Sequence, residues 1–252
     1  MSPASNLPES MMGITLRKLA QPEEMRVCVD LQKAVWGFSD LEVVPHRLFV
    51  VASRTGGQVI GAFEGENAIG FLLAFAAYRD GGLYLHSHMA AVLPAYQNRG
   101  IGRELKLAQR EDALSREINL IEWTFDPLQL RNAHFNIARL GVIVREYLPN
   151  LYGRTTSPLH HGLPTDRLVA QWWIKESRVQ KILSPDGSAS PPGQAQVSIP
   201  RNVLEICEHD PAKAAHLQAQ LRRQFQRAFH DGLAVTGFAL DDDSGNYRME
   251  RI

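Results

Sequence analysis

The chain has 252 residues, 27 of them Lys or Arg and 27 Asp or Glu, for a formal net charge of zero. That length allows one large domain, or one domain with an appendage. Balanced charge excludes the electrostatic footprint of a nucleic-acid binder or a polybasic membrane protein and leaves small molecules or other proteins as partners. Cys28 and Cys207 stand far apart, which excludes a disulfide framework and a clustered zinc site, so no metal is expected and a reducing compartment fits.

In chain order, residues 1–12 are rich in Ser and Pro and read as a disordered tail; "MSPASNLPES" lacks the basic start and apolar region of a signal peptide. "GITLRKLA" (13–20) reads as a strand, and "EEMRVCVDLQKAVW" (23–36) places Met25, Val29, Leu31 and Val35 near helical spacing. "QVIGAFEG", "NAIGFLLAFAAY" and "GLYLHSHMAAV" follow as strands joined through the short turns "EGEN" and "RDGG", which predicts an antiparallel meander. The longest apolar stretch, "GFLLAFAAY" (70–78), is too short to cross a bilayer. A cytoplasmic protein without membrane contact is the expectation.

The third strand of the meander runs through "LPAYQNRGIG" into "RELKLAQREDALSRE", where Ile101, Leu105 and Ala108 share a helical face. "LIEWTFD" (120–126) reads as a strand, "RNAHFNIARLG" (131–141) as a short helix ended by Gly141, and "RLVAQWWIK" (167–175) as a late strand. "SPDGSASPPGQAQ" (184–196) has linker composition. Beyond it, Asp210 and Pro211 suit the N-cap and first position of a helix carrying Leu217, Leu221, Phe225 and Phe229, and two strands flank "DDDSGN". About 55 residues are marginal as an independent fold, so this C-terminal piece is expected to pack on the main domain or on a second copy of the chain, as a homodimer.

The turn at 97–102 is the most informative stretch. N–H groups at a helix start lack intrahelical partners and carry the positive end of the dipole. Glycine lets the backbone approach an anion closely, so the pattern at Gln97, Gly100 and Gly102 could align successive amides around a phosphate. Plain strand-to-helix turn chemistry is the alternative. A P-loop is excluded by the missing Gly-Lys-Ser/Thr, and a dinucleotide GxGxxG by Leu105 at its third small position.

"VLPAYQNRGIGREL" resembles the acyl-CoA pyrophosphate loop of the GNAT superfamily of N-acyltransferases, Gln/Arg-x-x-Gly-x-Gly/Ala after the fourth strand and at the head of the third helix. The order of elements is also similar over roughly residues 13–175. "LHSHMAAVLPAYQNRGIGRELK", "WTFDPLQLRNAHFNIARLG" and "GLPTDRLVAQW" resemble a branch of GNAT acyltransferases with a C-terminal extension, some relatives of which are associated with N-succinylation of amino acids. The resemblance implies an α/β (α+β) fold: a GNAT-like mixed, mostly antiparallel central sheet flanked by helices, with a small C-terminal helix-and-hairpin extension. The implied domains are a tail at 1–12, the acyltransferase domain at 13–183, a linker at 184–196 and the extension at 197–252.

It further implies acetyl-CoA or another acyl-CoA as donor, a small-molecule amine as acceptor and direct acyl transfer. In the superfamily the pantetheine arm lies between splayed fourth and fifth strands, which here would use Ala90, Ala91 and Val92; small residues there fit core packing equally. Asn132 stands where the family's fourth helix carries a cofactor-contacting Asn, or serves as an N-cap. Glu122 matches a fifth-strand general base, with Thr124 and Asp126 on its face by alternation. His86, His88 and Ala90 are expected to share a face of the fourth strand, making His88 a second base candidate. Ile137 replaces the Tyr that serves many relatives as general acid, so that role falls to Tyr147, to Tyr152 or to no side chain. Acceptor recognition would use Tyr147, Tyr152, Arg154, His160 and Arg167, an Arg suiting a carboxylate unless it simply pairs with Asp166. A succinyl-CoA-dependent amino-acid N-succinyltransferase and a CoA-binding module without turnover are the alternative readings.

Overall fold

A computed structural model of the protein describes residues 13–153, 160–184, 187 and 193–252. The N-terminal tail, Arg154 and most of the expected linker lie outside the described residues. The chain divides into two compact units, one ending at Asn119 and the other beginning at Leu120.

The first unit comprises β1 (Ile14–Lys18), α1 (Val27–Trp36), α2 (His46–Arg54), β2 (Gln58–Glu64), β3 (Asn67–Arg79), β4 (Gly82–Val92) and α3 (Ile101–Ser115). Its strands run in the order β1-β2-β3-β4, each antiparallel to the next. The expected meander is present, and Asp80 and Gly81, both at positive φ, close the β3–β4 hairpin in the way a two-residue turn with right-handed strand twist requires.

The centres of β2 and β3 are buried on both faces, which explains their near-continuous apolar runs. One cluster joins Phe71 and Leu73 of β3 to Cys28, Leu31, Phe49 and Ala52 of α1 and α2. The other joins Leu72 and Ala74 to Ile101 and Leu105 of α3. Helix α2 escapes the sequence reading because "LFVVA" has no helical period: Phe49 and Ala52 are buried while Leu48 and Val51 face solvent.

The second unit comprises β5 (Leu120–Phe125), α4 (Leu130–Ala133) continuing as a π-helical turn (His134–Arg139), β6 (Ile143–Leu148), β7 (Arg167–Trp173), α5 (Ser177–Leu183), β8 (Ala195–Pro200), α6 (Val203–His209), α7 (Pro211–His230), β9 (Leu233–Leu240) and β10 (Ser244–Arg251). The strand order is β5-β7-β6-β9-β10-β8, again antiparallel. Four elements of this unit are not legible in the sequence: β6, α5, β8 and α6.

Asp210 caps α7 by accepting the Lys213 N–H at 3.0 Å, with Pro211 opening the helix. The buried stripe of α7 is Ala214, Gln218, Leu221 and Phe225, while Leu217 and Phe229 are only half-buried. Successive i to i+4 steps each overshoot a full turn by about 40°, so a strict four-residue repeat drifts off the contact face.

The C-terminal elements extend the sheet of the second unit. β9 pairs with β6 at Val144 and Val235, and the Tyr247 hydroxyl donates to the Pro127 carbonyl at 2.7 Å. Phe225 is fully buried, stacked on Tyr147 at 5.8 Å and edge-on to Tyr247 at 5.1 Å. Phe225→Ala is expected to cost about 3–5 kcal/mol, read from urea unfolding of the full chain. A loss under about 1 kcal/mol would show that the α7 anchor is dispensable.

Candidate functional site

In the first unit, a short 3-10 turn (Pro94–Tyr96) ends β4 and leads to the glycine turn. Asn98 and Gly100 adopt left-handed backbone, φ +62° and +87°. Gly100 is the N-cap of α3, and its carbonyl accepts the Arg103 and Glu104 N–H groups at 2.9 and 3.1 Å. A Cβ built on Gly100 or on Gly102 meets nothing within 4 Å. Packing therefore does not demand either glycine. The positive φ explains Gly100; Gly102 leaves bare backbone facing open space at the first turn of a 15-residue helix, ahead of the first N–H groups bonded back to Gly100.

The side chains of the turn are tied down locally. Gln97 Nε2 donates to the Val92 carbonyl at 3.1 Å, linking the turn to the end of β4. The Tyr96 hydroxyl donates to Glu64 at 2.6 Å, and the Arg99 guanidinium lies 5.1 Å from the centre of the Tyr96 ring. These contacts are made by side chains and fix the path of the turn.

Strand β4 departs from simple alternation. Met89 faces Leu73 and Ser87 faces Ala74, so His88 has no partner on β3: it is the extra residue of a β-bulge. The expected face of His86, His88 and Ala90 is therefore split. His86 pairs with Phe75, and the His88 ring packs near Phe75 (5.5 Å) and His86 (6.2 Å). Ala90 pairs with Leu72 on the opposite, α3-facing side. Ala91 is a core residue beside Phe71 and Leu73, while Ala90 is exposed. Although His88 itself is exposed, partial desolvation by the surrounding protein, and then His86, lower its imidazole pKa from the ordinary value.

Next to the bulge, Ser87 lies in a buried polar network that the sequence did not reveal. Lys106 Nζ on α3 donates to Ser87 Oγ at 3.0 Å and to Gln109 Oε1 at 2.7 Å, and Gln109 Nε2 donates to Gln58 Oε1 at 3.0 Å. Burial pushes the Lys106 ammonium well below its usual range. The network clamps β4 to α3 on the residue preceding the bulge.

In the second unit, Glu122 is buried in β5 opposite Gln171 of β7. Asn132 is exposed inside α4, whose N-cap is Gln129, so it is not a capping residue. Ile137 is fully buried in the π-helical turn. Tyr147 is buried and donates its hydroxyl to Asp166 at 2.6 Å, with burial and that carboxylate pushing its pKa far up. Tyr152 is half-exposed with its hydroxyl 3.0 Å from Thr124 Oγ1. Arg167 does not pair with the Asp166 carboxylate. Asp166 is fully buried and held bidentately by Arg222 of α7, Nε to Oδ2 at 2.9 Å and Nη2 to Oδ1 at 2.8 Å. Arg222 lies 56 positions from Asp166, and no local signal marks the pair.

No group of three or more His, Cys, Asp or Glu side chains arranged to hold a metal ion occurs among the described residues. No helix among them is long and apolar enough to cross a membrane.

Residues 20–141 match the acetyltransferase (GNAT) family. No curated protein matches the chain. Among solved structures, a GNAT-family acetyltransferase from Desulfovibrio desulfuricans superposes with a TM-score of 0.53 at 16% identity, covering 64% of this chain and 99% of that one. A Salmonella typhimurium acetyltransferase with its cofactor acetyl-CoA gives 0.52 at 15% identity, over 65% and 95% of the two chains. The ribosomal-protein-S18-alanine N-acetyltransferase of Escherichia coli gives 0.53 at 14% identity, over 65% and 96%. At these identities the likeness is one of fold.

Proposed function

We propose, from the match of residues 20–141 to the acetyltransferase (GNAT) family, that the chain is an acyl-CoA-dependent N-acyltransferase acting on the amine of a small molecule. The observation that carries the reading is the turn at the head of α3: Gly100 at φ +87° and Gly102 with open space at its Cβ position. That cradle fits a diphosphate, whose charge the first-turn N–H groups would meet at roughly 1.5–3 kcal/mol per charge-assisted bond.

Gln97, Asn98, Arg99, Gly100, Ile101 and Gly102 would hold the diphosphate of the acyl-CoA, and Ala90, Ala91 and Val92 would line its arm with β4 backbone. When bound, the thioester supplies the electrophilic acyl carbon. The chain's own part is proton management. Glu122 is assigned as the base that takes a proton from the acceptor amine. His88 is the second candidate, its pKa lowered from the ordinary value and its residue carried on a bulge that turns it out of the ladder. Tyr152 is the phenol left to return a proton, since Tyr147 is committed to Asp166.

Glu122→Gln is expected to lower the transfer rate by about a hundredfold or more while acetyl-CoA affinity, measured by calorimetric titration, stays within about twofold. Full activity of this variant across pH would remove Glu122 from the base role. Acetyl-CoA binding by the wild type without thiol release toward any amine would instead favour a binding module without turnover.

A further inference from the structure

Resting on the acyltransferase reading, we propose that Arg167 is a specificity-determining side chain that binds a carboxylate of the substrate, and that the C-terminal helix α7 builds this subsite by removing the competing carboxylate of Asp166. Arg167 is 8% exposed. A guanidinium so buried normally forms a bidentate pair with a carboxylate. Arg167 has two aspartates nearby and pairs in this way with neither. With Asp126 it makes only a long ion pair, Nη1 to Oδ2 at 3.8 Å, beyond hydrogen-bond distance, and Asp126 Oδ1 accepts the Leu128 N–H at 2.8 Å. The Asp166 carboxylate is filled by Arg222, the Tyr147 hydroxyl and the Asn150 N–H.

What Arg167 does touch fixes its direction. Nη1 donates to the Asp166 main-chain carbonyl at 3.0 Å, Nη2 lies 3.4 Å from His160 Nε2, and the guanidinium sits 5.4 Å from the centre of the Tyr152 ring. Tyr152 is itself held in place. Its N–H donates to Thr165 Oγ1 at 2.9 Å and its hydroxyl meets Thr124 of β5 at 3.0 Å. Arg167, Tyr152, Thr124 and His160 therefore gather a planar cation, two hydroxyls and an imidazole beside a half-exposed aromatic ring. That is the chemistry of carboxylate recognition.

Helix α7 supplies the support. Gln218 donates to the Pro164 carbonyl at 2.9 Å and Arg222 clamps Asp166, so two of the three residues preceding β7 are held by the extension. The extension thus gains a role beyond packing: it keeps Asp166 from pairing with Arg167.

The carboxylate could come from an amino-acid acceptor or from a dicarboxylic acyl chain, and the test separates them. Calorimetric titration with acetyl-CoA comes first; failure to bind would fail the acyltransferase reading, and this proposal with it. Thiol release is then measured with L- and D-amino acids, each beside its neutral amide, and with succinyl-CoA beside acetyl-CoA. An acid preferred over its amide by about tenfold or more in kcat/KM points to the acceptor, and the same preference for succinyl-CoA points to the donor. Arg167→Gln and Arg167→Lys should erase that preference by raising KM for the charged substrate, with kcat for the neutral one and acetyl-CoA affinity retained. Wild-type protein that binds acetyl-CoA yet uses amide and acid alike, with no preference for succinyl-CoA, overturns the proposal without touching the acyltransferase reading. A preference that persists in both variants also overturns it.

Discussion

Gly100→Val is expected to remove measurable acetyl-CoA binding, a loss of about a hundredfold or more, since several charge-assisted bonds of about 1.5–3 kcal/mol depend on one backbone path. The cause is conformational. Gly100 holds φ +87°, where a β-branched residue is strained by about 1–3 kcal/mol, so the valine chain relieves strain by moving the turn and the N–H groups no longer converge. Nothing lies within 4 Å of the built Cβ, so the fold itself has no steric reason to fail and the thermal midpoint serves as the control.

Gly102→Val separates the two explanations for a glycine here. Its φ is not in the left-handed region and its Cβ position is also open. Loss of acetyl-CoA binding with stability retained would therefore report a bulky group standing where the ligand approaches. Unchanged affinity in both variants would reduce the stretch from Gln97 to Gly102 to a turn, and the acyltransferase reading would lose its main support.

Arg222→Ala is expected to destabilise the protein by about 3–5 kcal/mol. Asp166 is fully buried, and among the described residues its carboxylate would retain only the Tyr147 hydroxyl and the Asn150 N–H. The partner exposure is unequal, 32% for the Arg222 side chain against 0% for Asp166, so the orphaned carboxylate carries the cost while an orphaned Arg222 could turn to water. A double-mutant cycle with Asp166→Ala checks this: Arg222→Ala should cost far less in that background. A single-mutant loss below about 1 kcal/mol would mean that Tyr147 and Asn150 suffice.

How much of this was legible depended on the range of the interaction. The three meander strands, the Asp80-Gly81 hairpin, the start of α3 and the Asp210 cap of α7 are written in neighbouring residues, where turn geometry and period act directly. Helix α2 was missed because its apolar residues cover more than the buried face, and β6 because "IVREYL" alternates buried and exposed positions irregularly around a register shift. The extension's place was only bracketed: a piece this short needed a surface to pack on, and the surface is β6 with Tyr147.

The candidate site shows the same division. Gly100 and Gly102 could be singled out from spacing because a helix start presents N–H groups whatever surrounds it. The role of Arg167 could not, since proximity in sequence suggested Asp166 as its partner, and only the folded chain shows that partner taken by Arg222. His88 could be named as a base candidate, but strict alternation put it on one face with Ala90; the bulge set by pairing with β3 separates them. The sequence by itself determined the meander, the glycine turn and the capped C-terminal helix, because each follows from local periodicity and backbone sterics. Only the tertiary structure decided which carboxylate Arg222 holds, which face Ala90 takes and what the extension covers, because those outcomes depend on competition among groups far apart in the chain for the same buried partner.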